Sequence, residues 1–509
     1  MLNRILGPKA HYYSHLLGIV VLIVGLGMSK AMMSIGALWC VLNILLQGDF
    51  KNTLDKLKSN PLFLVLFAFF GLHVIGLLWS SNLHYGLDDL RKKLPLLAIS
   101  IGLLGGPTLQ KRHVDGLLKF FVLLITFCSL YNLWHFSGDI DEEFRSLSVF
   151  TSHIRFSLMV AISVVVSIYF LFTKEKLMPL WLVTVAFGLY YTIYSQVFSG
   201  LLALAGAAYF LVIYLVWKKP LIRYTALSLP LVCFGLLMTQ IQEIGTASNK
   251  QNDRLETYTA EGGMYFHDTT NFSMENGEYI YRNICLYELE RDWNRYSKID
   301  LDTPVNDEFT LRIVLYRYMS SKGLRKDAEG LAQLSNQDIK NIENGQTSVI
   351  QFESGILGRL ASLKNEIQSN FNPNGSTLLQ RIYYWKTGWH IIKRHPILGV
   401  GTGDVQNEFD TQYILDMSPI DEENRLRAHN SFLTAWLTWG PVGIILFLSV
   451  IHVFLKVHIK KQLLLPFVLI GILVFSFFIE DTLETLSGIT LFMFIYTLFG
   501  NFHPEKSEV

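Results

Sequence analysis

The amino-acid sequence predicts an all-α polytopic membrane protein with about twelve transmembrane helices and one large polar segment late in the chain. The first observation is the composition: 51% of the 509 residues are hydrophobic and 17% are charged, which is far more apolar than a soluble protein of this length. The second is a series of apolar runs whose lengths approach what a bilayer core of about 30 Å requires. The third is the concentration of lysine and arginine in alternate connections between these runs.

Nine predicted spans precede the polar segment and three follow it. Several runs have fewer than about twenty residues, so we expect their helices to continue into flanking sequence. The spans are predicted at about 12–28, 31–47, 61–79, 94–106, 114–134, 154–173, 177–194, 197–217, 221–240, 432–455, 463–479 and 486–500. The corresponding domains are 1–240 with spans 1 to 9, 241–431 as a large loop domain, 432–500 with spans 10 to 12, and a tail at 501–509.

The basic residues predict that both termini are cytoplasmic. If the N-terminus is inside, the inner connections contain Lys51, Lys56, Lys58, Lys111, Arg112, Lys174, Lys176, Lys218, Lys219, Arg223, Lys456, Lys460 and Lys461. The outer short connections contain few basic residues beyond Lys30, Arg91, Lys92, Lys93 and Arg145. The loop domain then lies outside the cytoplasmic membrane. Glu480, Asp481 and Glu484 lie on the same side, and we expect them to form a solvated acidic rim.

The loop domain is predicted to be mainly helical. Its helical segments are expected at 275–298, from Ser335 onward and at 354–370, with a turn at 370–377. No disulfide framework or metal-ligand cluster is predicted, because the cysteines other than Cys285 lie in apolar runs. The formal charge of +1 does not indicate nucleic acid as a partner.

The stretch 376–433 carries the candidate functional residues. A helix beginning at Ser376 or Thr377 would place Arg381, Trp385 and Trp389 on one face, and Pro396 would end it. The glycine series GVGTGD follows at 399–404. No strand clearly precedes this series and no helix clearly follows it, so we reject a Rossmann or P-loop nucleotide site.

His429 is the first catalytic candidate, because an imidazole can take a proton near neutral pH. The alternative is an interfacial histidine that satisfies a helix end. Arg381 can bind a phosphate in a bidentate way, or else rest on Trp385 or pair with a carboxylate. Arg394 and His395 can contact a ligand, but basic residues in a last helical turn also complement the helix dipole.

Two outer positions break the pattern of basic residues inside. Arg91, Lys92 and Lys93 lie at the start of the fourth span, and His153 and Arg155 lie at the start of the sixth. Such side chains can extend to lipid headgroups, or they can form an outward-facing cationic site for a diphosphate. We favour a functional role for Arg155 and leave both interpretations open for the 91–93 cluster.

Several segments together resemble the O-antigen ligase and Wzy polymerase superfamily. They are the R-x-x-x-W pattern at 381–385, HPILGVGTG at 395–403, AHNSFL at 428–433, WGPVGIILF in the following span and GLLWSSNLHYGLDDLRKKL at 76–94. The insert at about 260–350 is longer than in a minimal member, and its segments ELERDWNRYS at 288–297 and SKGLRKDAEGL at 321–331 look like those of Bacteroidota members. The predicted topology, with many helices and one large external loop late in the chain, resembles that of this superfamily too. The chain differs at SQVFSGLLAL, 195–204, where relatives often have an arginine after the serine, so no arginine contact is carried over from the eighth span.

The resemblance implies a metal-independent GT-C type glycosyltransferase without a cofactor, in the bacterial cytoplasmic (inner) membrane with its large loop in the periplasm. Its donor would be a glycan linked to polyprenyl (undecaprenyl) diphosphate, and its acceptor lipid A-core or another glycan or protein. Carried over by motif, His429 would be the base, Arg381 the principal diphosphate contact and Arg155 a supporting one. Further candidates are Arg427, Arg91 and Lys92 for the diphosphate, and Trp385, His395, Gly401 and Asn430 in supporting positions.

The leading hypothesis is therefore a ligase, with a polysaccharide polymerase or a protein O-oligosaccharyltransferase as alternatives of the same chemistry. A membrane transporter or flippase is the alternative from a different class, but transporters usually have two related halves, whereas these spans divide into nine and three. An envelope scaffold would leave the arginines and His429 without a role.

Overall fold

The computed structural model describes residues 7–136, 146–173, 175, 177–222, 225, 228, 255–271, 273–275, 278–305, 309–349, 374 and 377–502. The chain divides into two compact units. The first comprises Met1–Ala226, Arg381–Ser418 and Arg425–Val509, and the second comprises Leu227–Gln380 and Pro419–Asn424. This division differs from the predicted loop domain at 241–431, because most of the stretch that carries Arg381 and His429 belongs to the first unit.

The first unit is built from long, mainly apolar helices. Their bounds are α1 Pro8–Met28, α2 Lys30–Gln47, α3 Phe50–Ser59, α4 Pro61–Ile75, α5 Leu83–Ile99, α6 Lys111–His135, α7 His153–Phe172, α8 Met178–Tyr194, α9 Phe198–Val216, α14 Thr377–Arg394 (from Arg381 onward), α15 Val405–Leu415, α16 Ser431–Lys460, α17 Leu464–Ile479 and α18 Leu486–Gly500. Side-chain caps set several starts. Asn60 accepts from the Leu62 N–H at 3.0 Å at the start of α4, and Thr485 accepts from the Gly488 N–H at 3.3 Å at the start of α18.

Seven helices of the described residues are long and apolar enough to cross a membrane, namely α1, α2, α4 with its 3-10 extension to Trp79, α6, α7, α9 and α16. Helices α8, α17 and α18 are apolar but shorter. The fourth predicted span begins earlier than expected, since α5 starts at Leu83 and continues through a π-helical turn at Ser100–Leu104. The protein is thus a mostly helical membrane protein. The total of twelve spans stays a prediction, because nearly all of 221–240 lies outside the described residues, as do Arg145, Lys174, Lys176 and Arg223.

The glycine series after α14 packs into a kink of α16. Gly401 N–H donates to the Thr438 carbonyl at 2.9 Å, and the Trp439 indole donates to Thr402 Oγ1 at 3.1 Å. The Asp404 carboxylate accepts from the N–H groups of Ser81 and Asn82 at 2.7 and 2.8 Å. The prediction that no helix follows the series was wrong, because α15 begins at Val405. The series therefore joins α14 and α15 to α4 and α16. These contacts hold α14, which carries Arg381, against α16, which begins two residues after His429.

Gly440→Ala is expected to destabilise the protein by about 3 kcal/mol, because left-handed strain and overpacking add. Gly440 has φ of 63° and ψ of −154°, a region that is essentially restricted to glycine. A Cβ atom there would also lie 1.9 Å from the Ile397 carbonyl oxygen. Thermal unfolding of the detergent-solubilised protein measures the effect. The matched control is Gly71→Ala in α4, where a Cβ atom meets nothing within 4 Å; equal midpoints for the two variants would contradict the prediction.

The second unit has its own apolar core. Its elements are the antiparallel pair β1 Met274–Glu275 and β2 Glu278–Tyr279, and the helices α10 Leu286–Trp293, α11 Leu311–Ser321, α12 Ala328–Ala332 and α13 Asn336–Glu343. Trp293, Tyr318 and Ile342 are among the core residues. The helix predicted at Ser335 is confirmed by a capping box between Ser335 and Asp338.

The prediction of a mainly helical loop domain needs correction in this described part. Within 275–298, Glu275 ends β1, Glu278–Tyr279 forms β2 and Leu286–Trp293 forms α10, because apolar and charged residues there alternate too irregularly to sustain one long helix. The helix predicted at 354–370 and most of the turn at 370–377 lie outside the described residues. Cys40, Cys128 and Cys285 are free and buried, and Cys233 lies outside the described residues.

Candidate active site

Arg381 and Arg155 share one buried carboxylate in the first unit. Arg381 Nη2 donates to Glu480 Oε1 at 2.6 Å, and Arg155 Nη1 lies 3.6 Å from Glu480 Oε2. Arg155 also donates to the Asp481 carbonyl at 3.0 Å and to Thr485 Oγ1 at 3.3 Å. Glu480 is only 1% exposed, so this carboxylate is held between two guanidinium groups and away from bulk water. A charge removed from water in this way is stabilised only when it is paired.

His429 lies beside the same carboxylate. Its Nδ1 atom is 4.0 Å from Glu480 Oε2 and 3.9 Å from Asp481 Oδ2, and it is buried with no hydrogen-bond partner among the described residues. The ring stacks on Tyr384, with centroids 5.6 Å apart and planes 29° apart. Burial raises the pKa of Tyr384 to about 12, so this phenol stays protonated at neutral pH. His429 therefore has one aromatic face covered and one nitrogen turned toward carboxylates.

The backbone at His429 is also unusual. Its φ of 46° is in the left-handed region, which residues other than glycine rarely adopt and where histidine, asparagine and aspartate are the more frequent exceptions. The next residue, Asn430, caps α16 by accepting from the Leu433 N–H at 3.0 Å and donates to the Phe478 carbonyl at 3.0 Å. Asn430 thus joins the start of α16 to the end of α17, and this connection sets the position of His429.

Arg427 belongs to a second, adjacent charge cluster. Arg427 Nη1 lies 3.1 Å from Glu484 Oε2 and 3.7 Å from Asp89 Oδ1, and it donates to the Tyr85 hydroxyl at 3.2 Å. Lys93 Nζ lies 2.7 Å from Glu484 Oε1 and is almost completely buried. The short segment from Glu480 to Thr485 therefore supplies a carboxylate to each cluster, and the two clusters are connected through the backbone.

The carboxyl of Glu484, in the connection between α17 and α18, is perturbed by these neighbours. Burial raises its pKa, but the charges of Arg427 and Lys93 outweigh burial and hold the pKa of Glu484 well below its usual range. Because the folded-state pKa is depressed, the stabilisation is present above the unfolded pKa of about 4.3. It is lost as the pH falls through the folded-state value.

Glu484→Gln is consequently expected to destabilise the protein at pH 7 by about 3 kcal/mol, because it leaves Arg427 and Lys93 buried without their shared anion. The difference in thermal midpoint between this variant and the wild type should shrink as the pH is lowered below about 4.3. Glu423→Gln, at an exposed position, is the matched control and should leave the midpoint unchanged. A difference between wild type and Glu484→Gln that stays constant with pH would contradict this account.

The remaining predicted site residues lie elsewhere in the first unit. Arg91 and Lys92 both pair with Asp88 at 2.7 Å on an exposed surface, and of the three basic residues at 91–93 it is Lys93 that enters the second cluster. Arg394 and His395 lie 2.6 and 3.6 Å from Glu408. Two predicted supporting residues have different surroundings: Trp385 is partly buried on α14, and Gly401 packs where a Cβ atom would lie 2.6 Å from Ser80 Oγ.

The acidic partners of these basic residues were not predicted from the sequence. Glu480, Asp481 and Glu484 were expected to form a solvated rim, but all three are largely buried, so that expectation was wrong. The reason is that α17 ends at Ile479 and α18 begins at Leu486. A connection of six residues cannot extend away from the helix ends. Acidic residues placed directly between two apolar runs, without a polar loop, were the signal that could have found them.

The fold and the site define an apolar, polytopic helical protein in which guanidinium and imidazole groups gather around buried carboxylates. A comparison with protein families matches residues 348–448 to the O-antigen ligase family, Wzy_C. This match confirms the resemblance to the O-antigen ligase and Wzy polymerase superfamily, whose members are glycosyltransferase-like enzymes. Arg381 and His429 both lie within the matched residues. A comparison with curated proteins found no match.

Proposed function

We propose that this protein is an O-antigen ligase-like glycosyltransferase of the bacterial inner membrane. It moves a glycan from a polyprenyl diphosphate donor to an acceptor hydroxyl, with lipid A-core as the acceptor, on the periplasmic face. The observation that carries the proposal is the convergence of Arg381, Arg155 and His429 on one buried carboxylate. These three residues come from separate parts of the chain, and the chemistry below needs all three groups.

Transfer from a lipid diphosphate requires stabilisation of the charge on the leaving group. Guanidinium groups bind phosphate oxygens in a bidentate way, and arginines fixed in advance lower the barrier without reorganising during the reaction. Arg381 and Arg155 already bind an anionic side chain from two directions. This supports a site that accepts the diphosphate. Arg427, in the adjacent cluster, would extend it, whereas Arg91 and Lys92 pair with Asp88 on an exposed surface.

The acceptor hydroxyl must lose a proton as it attacks. His429 is the group suited to accept it, because imidazole takes up and releases protons near neutral pH. Its buried atom is Nδ1, so the acceptor would approach Nε2. Tyr384, which remains a neutral phenol, limits the rotation of the imidazole ring by stacking against it.

The acceptor distinguishes this proposal from its alternatives. A polysaccharide polymerase or a protein O-oligosaccharyltransferase would use the same groups. A transporter would place its charged residues near the middle of the membrane helices, whereas Arg155 and Glu480 flank the start of α7 and the end of α17. That placement favours transfer chemistry over transport.

Gel separation of surface lipopolysaccharide tests the function in a strain that lacks the gene. A ligase predicts loss of the whole glycan ladder with accumulation of lipid-linked polymer, and restoration by the wild-type gene. Complementation with Arg295→Ala, whose side chain is 72% exposed in the second unit, should restore the ladder equally. A ladder reduced to a single repeat would indicate a polymerase, and an unchanged ladder with altered glycoproteins would indicate protein glycosylation.

A further inference from the structure

Glu480 has no role in the transfer as described, yet it contacts every group that the transfer uses. One carboxylate oxygen accepts from Arg381 at 2.6 Å, and the other lies 3.6 Å from Arg155 and 4.0 Å from His429 Nδ1. The side chain is 1% exposed, so solvent does not compensate its charge. Glu480 thus lies between His429, the candidate base, and the two arginines that are candidates for binding the diphosphate. Packing alone does not explain a buried carboxylate in this position.

We propose that Glu480 is a positioning residue that couples donor binding to the base. It occupies the guanidinium groups of Arg381 and Arg155 before the donor binds, and it becomes the hydrogen-bond acceptor of His429 Nδ1 when the diphosphate replaces it. This inference rests on the proposed function, because it assumes that a diphosphate binds these arginines.

The guanidinium groups of Arg381 and Arg155 both face the Glu480 carboxylate. Two guanidinium groups directed at one point repel each other, and a carboxylate between them stabilises the arrangement. Carboxylate and phosphate present similar pairs of oxygens to a guanidinium, so either can occupy the same donors. The diphosphate carries more negative charge than a carboxylate and therefore competes for Arg381 and Arg155. Glu480 then loses its two partners and needs another.

The imidazole of His429 lies near Glu480 without a hydrogen bond to it. A distance of 4.0 Å is too long for a hydrogen bond, and a shift of about 1 Å would bring Glu480 Oε2 within range of His429 Nδ1. Nδ1 has no partner among the described residues, so it is available for such a bond. The charged groups near Nδ1 are the carboxylates of Glu480 and Asp481, and Arg381 and Arg155 pair with the first of them. A carboxylate at Nδ1 fixes the tautomer with a free Nε2 and stabilises the imidazolium that forms.

The proton and bond changes then follow in order. The acceptor oxygen forms a bond to the anomeric carbon of the donor as its proton passes to Nε2 of His429. The bond between that carbon and the diphosphate oxygen breaks, the electron pair stays on this oxygen, and the polyprenyl diphosphate leaves as an anion bound by Arg381 and Arg155. The positive charge on the imidazole is balanced by Glu480 through Nδ1. No further reactant is needed.

Asp481 is the competing candidate, because its Oδ2 lies 3.9 Å from the same nitrogen and its Oδ1 has no hydrogen-bond partner among the described residues. The two carboxylates differ in one respect that decides the proposal. Only the Glu480 side chain binds the arginines, whereas Arg155 contacts Asp481 through its main-chain carbonyl. Donor binding therefore changes the partners of Glu480 directly, and the variants below separate the two residues.

The test uses the purified full-length protein in lipid vesicles, with a lipid diphosphate-linked glycan and lipid A-core as substrates. Glu480→Gln should lower kcat by about 100-fold while the KM for the donor falls or stays unchanged, because glutamine neither stabilises an imidazolium nor competes strongly for guanidinium groups. Glu480→Asp should restore part of kcat, since it keeps the charge. Glu423→Gln, at the exposed surface, should match the wild type.

Each outcome decides the proposal. An unchanged kcat with a higher donor KM in Glu480→Gln would mean that Glu480 only orders the arginines, and it would overturn the proposal. A loss of kcat in Asp481→Asn with normal turnover in Glu480→Gln would assign the role to Asp481. If Glu480→Gln fails to accumulate in the membrane, the turnover of Glu480→Asp and Asp481→Asn still decides between the two residues. No transfer by the wild type with this donor would instead refute the proposed function.

Discussion

His429→Ala is expected to abolish glycan transfer, with a loss in kcat of about 100- to 10,000-fold, while the protein remains in the membrane. The reason is that the proposed reaction needs a proton acceptor at the acceptor hydroxyl, and Tyr384, which stacks on the imidazole, stays protonated at neutral pH. Neither Glu480 nor Asp481 can substitute, because both lie on the Nδ1 side of the ring, whereas the hydroxyl approaches from Nε2. The measurement is the surface glycan ladder in the complemented strain, together with transfer by the purified protein.

The left-handed backbone at position 429 makes a second variant useful. Histidine is more frequent than alanine in the left-handed region, so a loss of activity in His429→Ala alone combines a less tolerated backbone conformation with the lost imidazole. Asparagine tolerates a positive φ and cannot act as a base, so His429→Asn should be equally inactive while its thermal midpoint stays near that of the wild type. His452→Ala, at an exposed position on α16, is the control and should remain active. Full activity in His429→Asn would refute the proposed mechanism.

Arg381→Ala is expected to lower kcat/KM for the donor by about 100- to 1,000-fold, since it removes the closest cation from the leaving-group site. It also leaves Glu480 with Arg155 at 3.6 Å as its nearest remaining guanidinium. Arg381→Lys should retain part of the activity, because lysine keeps the charge but loses the bidentate geometry. The assay is donor-dependent transfer by the purified protein, with membrane abundance as the check on folding.

The double variant Arg381→Met with Glu480→Gln removes both charges of the closest pair, but it leaves the buried Arg155 without the Glu480 carboxylate. It should therefore be as inactive as Arg381→Ala and less stable than the wild type. Arg91→Ala tests how far the cationic site extends, since Arg91 is 74% exposed and pairs with Asp88. Normal transfer by Arg381→Ala would contradict the assigned role, and a loss in Arg91→Ala as large as in Arg381→Ala would extend the diphosphate site to that surface.

The sequence was sufficient to predict the membrane class and most of the helices. Apolar runs such as the one that became α7 are local features, and their length alone indicates a helix that can cross a bilayer. Local rules also placed the end of α14 before Pro396 and the capped helix at Ser335. Sequence motifs identified His429 and Arg381 as candidate site residues. The family match over 348–448 agrees with the resemblance from which their proposed roles were taken.

The sequence could not predict which charges meet. Arg381 and Glu480 are 99 positions apart, and Arg155 and Thr485 are 330 apart. Their contacts depend on how the helix ends are arranged in three dimensions. The acidic residues near 480 were therefore predicted to be solvated, and the basic residues at 91–93 could not be ranked, although only Lys93 turns inward.

The sequence by itself determined that this chain enters a membrane, because burial of apolar side chains depends on composition and on periodicity along the chain. Only the tertiary structure decided that Arg381, Arg155 and His429 surround one carboxylate, and that the glycine series packs into the kink of α16. The physical reason is that charge pairing acts over a few ångströms in space. Which residues come that close is set by helix packing and by the short connection between α17 and α18.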